Sequence, residues 1–459
     1  MREAAYIVMC FVHRSAKRLL GHYREPEGMR FVDIAPGDVS ENGAVLFSGL
    51  PNSSHKTDPD GRVLADQLYP VENAVPPGTN LHLAASFHLS RGKSTGVAAR
   101  QFSPDLWRAF VDNAEIPTGY RNGGLKYTGF IASGRDSWCL PSWIWTNGAI
   151  VRYLCAAGET GQAMRIGERL LARQEPEGGW IVRSDYTVTD EIPVIAPNDS
   201  AYIANNACLE LFEKTGDDRY LQSARRCADW IMDCARPDGL VWTGYDSRTG
   251  AWLREHTIVD TGFTAGLFAR LFTLTGEARY GEFLERFVER FIELFYDPET
   301  CCFATSVDKQ DRRVGGRFAR GQAWALEGLI PACRALNSQR FKRVAEANIQ
   351  AIVAQQLGNG GWAYNFDKAY LGEDGKGVPV LAKALLDWHR FEENEAAFRA
   401  AEKALNWCAK RTSLSGPSVG GIFSFNAEGA VVHNFYTKTA FVYGSAYALE
   451  CWEILYADA

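Results

Sequence analysis

The sequence predicts an all-α fold: an (α/α)6 toroid of six helical hairpins, preceded by an irregular, partly β N-terminal segment. Three patterns predict it. A Gly-aromatic turn recurs about every 60 residues, a spacing typical of stacked or closed supersecondary units. Its copies are Glu177-Gly178-Gly179-Trp180, Asp238-Gly239-Leu240-Val241-Trp242, Cys301-Cys302-Phe303, Asn359-Gly360-Gly361-Trp362 and Gly420-Gly421-Ile422-Phe423. A fainter copy is Gly123-Gly124-Leu125-Lys126-Tyr127. Helix breaks recur at Thr160-Gly161, Thr215-Gly216 and Thr275-Gly276, where glycine suits the left-handed residue after a helix end. The helices on the two sides of each break differ in character: one is apolar all round, the next amphipathic.

Residues 1–100 are expected to hold an N-terminal helix and an irregular lid or insertion, and residues 101–459 the barrel. Pro36, Pro51, Pro59, Pro70, Pro76 and Pro77 interrupt residues 26–100, around strand-like runs such as 43–47 and 81–89. Inner helices are expected to begin near Pro141, Asp199, Asp260, Arg320, Gly377 and Thr437. Residues 200–211, 261–274 and 321–336 have almost no polar face, which marks buried helices. Outer helices follow near 160, 217, 277, 338 and 395. In one of them Tyr220, Leu221, Ala224, Cys227, Ala228 and Ile231 share a face opposite Arg219, Arg225, Arg226 and Asp229. The sixth outer helix falls at 103–114 or at 4–20. An open solenoid is the alternative, but it would need polar capping repeats.

The formal charge of -6 gives no basic footprint for nucleic acid or an anionic membrane. No apolar run is long enough to span a bilayer. The 13 Trp, 18 Tyr and 25 Phe supply flat rings that stack on sugar faces and equally fill a large core. Eleven cysteines without a Cys-x-x-Cys or a zinc-type Cys/His spacing predict free thiols, no metal site and a cytoplasmic location. The apolar run at 4–12 follows Glu3, and Arg14, Lys17 and Arg18 lie on the wrong flank for a signal peptide.

Inner helices of a toroid run parallel, so their N-termini surround one mouth. At that phase stand Asp199, Asp260 and Arg320, 61 and 60 residues apart. Neighbouring helices pack about 8–10 Å apart, which leaves room for one sugar and a water between two carboxylates. Each aspartate alone also reads as a helix N-cap, worth about 1 kcal/mol. Recurrence at one phase argues for more. Arg320 opposes the helix dipole and accepts no hydrogen bond, so it points to an anionic ligand such as a substrate carboxylate. A buried carboxyl beside a second one can stay protonated near neutral pH, the requirement for acid catalysis.

Residues 135–456 resemble the unsaturated glucuronyl and rhamnogalacturonyl hydrolases, glycoside hydrolase families 88 and 105. Arg320-Gly321-Gln322-Ala323-Trp324-Ala325 is similar to that group's Arg-Gly-Gln-Ala-Trp run, and Trp145-Thr146-Asn147-Gly148 to its Trp-Thr-x-Gly. Asp199 and Asp260 match its two functional aspartates in order and spacing. The resemblance implies hydration of a 4,5-unsaturated uronyl residue on an acidic oligosaccharide, with no metal or redox cofactor. It implies Asp260 as general acid/base, Asp199 as its carboxylate partner, and Trp145 and Trp324 as walls of the sugar pocket. Gln322, Asn198 and Lys376 join Arg320 as candidate substrate-binding residues. Asn198 stands where the group has histidine, residues 308–318 lack its further histidine, and the fifth inner helix opens with Asp374-Gly375-Lys376-Gly377-Val378-Pro379. Lys376 and Lys438 read either as surface residues or as further cations of the ring.

Two other classes stay open. One is another uronate-active (α/α)6 enzyme: a lyase using Tyr436 or His433 as base, or an epimerase relying on His256 or His433. The other is a carbohydrate-binding protein without catalysis, against which the retention of both aspartates argues.

Overall fold

In the computed structural model the described residues are 4–10, 46–48, 84–90 and 102–456, apart from 117–122, 132–136, 140–142, 182–193, 247–248, 254–255, 369–371, 415–417 and 425–438. Helices dominate and alternate between two rings. The inner ring holds α2 (Thr146–Ala156), α4, α6 (Phe263–Thr275), α8 (Ala319–Leu336), α10 (Gly377–Glu392) and α12 (Val442–Tyr456). Helix α4 runs through Pro197–Ile203, a π-helical stretch Ala204–Leu209 and Glu210–Thr215. The outer ring holds α1 (Pro104–Asn113), α3 (Thr160–Leu171), α5 (Asp218–Asp233), α7 (Ala278–Phe295), α9 (Gln339–Ala354) and α11 (Glu395–Arg411). Each inner helix packs on the next, and α12 returns to α2. The ring is closed, which settles the toroid against the open solenoid.

The sixth outer helix is α1, and it packs against α12. The alternative at 4–20 fails where it is described. Ala4–Cys10 is a strand, antiparallel to Ala84–Ser90 with Ala4 opposite Ser90. Its Tyr6-Ile7-Val8 core favours the pleated state over helix. Residues 11–20, and most of the expected lid, lie outside the described residues. Two further expectations shift. Thr160-Gly161 opens α3 instead of ending a helix, and the left-handed break is Gly158 (φ 77°). The last inner helix starts at Val442 because Thr439–Phe441 first pairs with Gly129–Ile131.

The recurring turn has one backbone cause. Gly124, Gly178, Gly239, Cys301, Gly360 and Gly420 all have positive φ, between 54° and 116°. The turn backs onto the following outer helix: a Cβ on Gly178 would lie 2.5 Å from the Arg226 carbonyl oxygen of α5. The aromatic residue then plugs the hairpin. Trp180 donates its indole N–H to Leu170 O at 2.7 Å, and Trp362 does the same to Ile352 O at 2.8 Å.

Short β pairings pin the inner-helix starts to the next repeat. Val194–Ile195 pairs with Gly244–Asp246, His256–Ile258 with Ser306–Asp308, Phe318 with Asn365, and Thr439–Phe441 with Gly129–Ile131. The last pairing closes the belt and belongs to a six-stranded sheet that also takes in Ala84–Ser90, Ala4–Cys10 and Leu46–Ser48.

Candidate active site

The mouth is built from first turns. Asp199 is the third residue of Pro197–Ile203, whose N-cap is Ala196. Asp260 lies inside the 3-10 turn Val259–Gly262, whose N-cap is Ile258. Neither aspartate caps its helix, so the N-cap reading of the pair falls. The first segment of α4 packs against the Asp260 turn, placing both carboxyls on adjacent helix starts. Asp199 is buried and accepts a hydrogen bond from Asn198 Nδ2 at 3.0 Å. Asp260 is half-buried. Burial pushes its carboxyl from the usual 3.8 up to about 7, against the opposing pull of the Arg320 charge.

Arg320 is the second residue of α8 and is buried. Its Nη1 donates to Asp374 Oδ2 at 3.3 Å and to Tyr443 Oη at 3.2 Å. The guanidinium lies over the Trp324 and Phe318 rings, 4.5 and 4.7 Å from their centroids. Arg320 thus meets a carboxylate of its own chain as well as facing the mouth. Lys376 is the N-cap of α10 and only 2% exposed, so its surface reading is overturned. Its ammonium sits 4.3 Å over the Phe441 ring. Burial, and then neighbouring Arg320, hold its pKa well below the usual 10.5, while Asp374 pulls the other way.

Aromatic rings from five inner helices close the floor. Trp145 lies 5.2 Å from Tyr202, 6.0 Å from Phe263, 6.0 Å from Trp324 and 5.0 Å from Tyr443, centroid to centroid. Two of these contacts, with Tyr202 and Trp324, are edge-to-face, a favoured aromatic geometry. Trp145 and Trp324 are buried in this floor. The indole N–H of Trp324 is buried without a hydrogen-bond partner.

Gln322 does something other than expected. It is fully buried; its Nε2 donates to Phe303 O and Phe318 O, and its Oε1 accepts from Phe303 N and Asn348 Nδ2. Both donors and both acceptor positions are engaged, which leaves nothing for a ligand. Gln322 braces the Cys302–Phe303 strand against α8 instead of binding substrate. Asp374 and Tyr443, the partners of Arg320, were missed as candidates. With the sixth helix placed at Thr437, Tyr443 falls too deep; with its true start at Val442, Tyr443 is a second residue, the phase of Arg320. His433, Tyr436 and Lys438 lie outside the described residues, as does the side chain of His256. Among the described residues, no group of His, Cys, Asp and Glu is arranged to hold a metal ion, and no helix is long and apolar enough to cross a membrane.

The comparisons agree with this architecture. No curated protein matches the chain. The model of Glycosyl Hydrolase Family 88 matches residues 142–373, half of the chain. An unsaturated glucuronyl hydrolase specific for heparin aligns with TM-score 0.59 at 15% identity, over 77% of this chain and 94% of that one. An unsaturated glucuronyl hydrolase from Bacillus sp. GL1 aligns with TM-score 0.59 at 14% identity, over 77% and 95%. A possible member of glycoside hydrolase family 105 from Salmonella enterica aligns with TM-score 0.56 at 17% identity, over 77% and 94%. At such identities these structures speak for the fold. The family model covers α2 through the approach to α10 and takes in Asp199, Asp260 and Arg320, and on that match the chain is a glycoside hydrolase that belongs to Glycosyl Hydrolase Family 88.

Proposed function

We propose that this mouth removes a 4,5-unsaturated uronyl residue from the end of an acidic oligosaccharide by hydrating its enol ether. One observation carries the reading: a carboxyl raised to about 7, Asp260, on a helix start that packs against the helix start bearing a second carboxyl, Asp199. Protonated Asp260 donates its proton to C4, and positive charge develops at C5 and the ring oxygen. The Asp260 carboxylate then takes a proton from water as that water adds to C5. The hemiketal so formed opens and releases the remaining sugar. One water is consumed, and the acid returns to its starting state.

The other residues support these steps. Asn198 orients Asp199 by donating to it. Arg320 and Lys376 make the mouth attractive to the substrate carboxylate, while Asp374 and Tyr443 fix where the guanidinium points. Trp145 and Trp324 give the sugar a flat apolar floor. The unsaturated substrates named for the structural neighbours are consistent with this assignment. Nine described cysteines are free, which fits the reducing cytoplasm.

Lyase-generated unsaturated disaccharides test the proposal. The wild-type chain should abolish the ultraviolet absorbance of the conjugated double bond, and Asp260→Asn should not. Rising absorbance on intact polysaccharide would mean a lyase. No change on a broad panel of uronides would sink the assignment.

A further inference from the structure

Six residues of the mouth and its aromatic floor have a polar counterpart seven residues further along the same helix, two turns and about 10 Å deeper, the α6 member being counted from Phe263 because Asp260 leads to Leu267. Trp145 leads to Arg152, Asp199 to Asn206, Phe263 to Arg270, Arg320 to Glu327, Lys376 to Lys383 and Tyr443 to Glu450. The toroid therefore carries a second polar ring beneath the aromatic floor. Arg152 Nε donates to both carboxylate oxygens of Glu450 at 3.0 Å, and its Nη1 to Asn206 Oδ1 at 3.0 Å. Glu327 lies 3.5 Å from Arg152 and accepts from the Tyr447 hydroxyl. Lys383 bonds Asp387 at 2.7 Å and lies 3.7 Å from Glu450.

Beside this ring is a cavity of about 390 Å³, within the size range of small-ligand sites. It reaches the C-terminal ends of the inner helices, opposite the mouth. The ion pairs do not satisfy every group that lines it. Arg152 Nη2, Asn205 Oδ1 and Glu327 Oε2 are buried without a hydrogen-bond partner. The Glu327 side chain is only 9% exposed, and a buried polar atom left unpaired is costly to the fold.

The unmatched charge lies at the rim. Of the five lining cations, Arg152, Arg270 and Lys383 are ion-paired, Glu450 and Glu213 joining the lining carboxyls Glu210, Glu327 and Asp387. Arg334 and Arg390 stand exposed at the rim, and neither has an ion-pair partner among the described residues. Each lies in the last turn of its helix, where a cation also meets the negative end of the dipole. That role explains two surface arginines. It does not explain why they border a cavity whose buried wall presents an unpaired guanidinium nitrogen.

We propose that this lower chamber is a second binding site, distinct from the mouth, for a small oxyanion: a carboxylate- or phosphate-bearing molecule no larger than about one sugar ring. Arg334 and Arg390 attract it at the rim, and Arg152 Nη2 binds it at the buried end. Asn205 Oδ1 and the outer oxygen of Glu327 meet its hydroxyl groups.

The test is thermal stability of the full chain against glucuronate and, separately, inorganic phosphate, each compared with sodium chloride at matched ionic strength. At least one of the two anions raises the melting temperature beyond the chloride control. Arg334→Ala/Arg390→Ala, made at exposed positions, weakens the apparent dissociation constant about tenfold or more, whereas Arg320→Ala at the mouth leaves it in place. A rise with phosphate alone assigns a phosphate site, and a rise with glucuronate alone a carboxylate site. The proposal is overturned if neither anion exceeds chloride, or if the double variant keeps full affinity. The second outcome decides even if Arg320→Ala does not fold. Because the readout is binding at the far end of the barrel, it stands or falls apart from any turnover of unsaturated uronides.

Discussion

The acidity of Asp260 is a balance between burial, which raises it, and Arg320, which lowers it. As the proton donor, Asp260 must be protonated, so kcat should fall as pH rises through about 7. Asp260→Asn should lower kcat by about 10²–10⁴-fold, the usual range for a lost general acid. Stability falls over the same rise in pH. A carboxyl whose folded pKa is raised stabilises the fold below its unfolded pKa, and that contribution disappears as pH climbs to about 7. At pH 8 the wild type carries a poorly solvated charge that asparagine lacks. Asp260→Asn should therefore melt a few degrees higher than wild type at pH 8, and the two should converge near pH 4; equal differences at both pH values would refute the shift. Removing the Arg320 charge should raise the Asp260 pKa further. The basic limb of the pH–rate profile of Arg320→Ala should move upward, and its KM should rise more for uronides than for neutral sugars. Asp199, Asp260 and Arg320 were legible because they share one phase of a repeat. Asp374 was not, because its role depends on which helix faces α8, and nothing local to residues 374–376 encodes that.

Among the elements, the most regular is the turn with positive φ. A β-carbon there costs about 1–2 kcal/mol in backbone strain alone, and at Gly178 it also meets the Arg226 carbonyl of α5. Gly178→Ala should destabilise the protein by about 2 kcal/mol or more in chemical denaturation. Cys301 occupies the same position with φ 54°, so Cys301→Gly should be neutral or stabilising, and a large loss would show that this copy is held differently. The turns, outer-helix faces and inner-helix character were all readable from periodicity and glycine. The second polar ring was not noticed. Glu327, Lys383 and Glu450 are mid-helix charges flanked by apolar residues; Arg152 of another helix compensates Glu327 and Glu450, and Lys383 meets Glu450 as well as Asp387 of its own helix. A pattern scored one helix at a time averages such residues away.

For the whole molecule, closure is the organising fact. The last hairpin pairs α12 with α1, so segments more than 300 residues apart complete the ring. Trp107 marks that seam: it is fully buried, donates to Thr412 Oγ1 at 2.8 Å, and meets Trp452 edge-on at 6.2 Å. Trp107→Ala should cost about 3–5 kcal/mol, read as an early loss of cooperative unfolding. The repeat made the ring predictable, but not the strands of the N-terminal segment, whose pairing is long-range and whose sequence has no period. The aromatic floor has a further consequence. Rings from five helices meet across the axis, so the bore is stopped and a polysaccharide cannot thread it. Under the proposed function, only a chain terminus fits such a blind socket, and the chain is shortened one unit per encounter. The rate of degradation should then follow the number of free ends in solution and not the mass of polymer, so the protein should work fastest on material that another activity has already cut short.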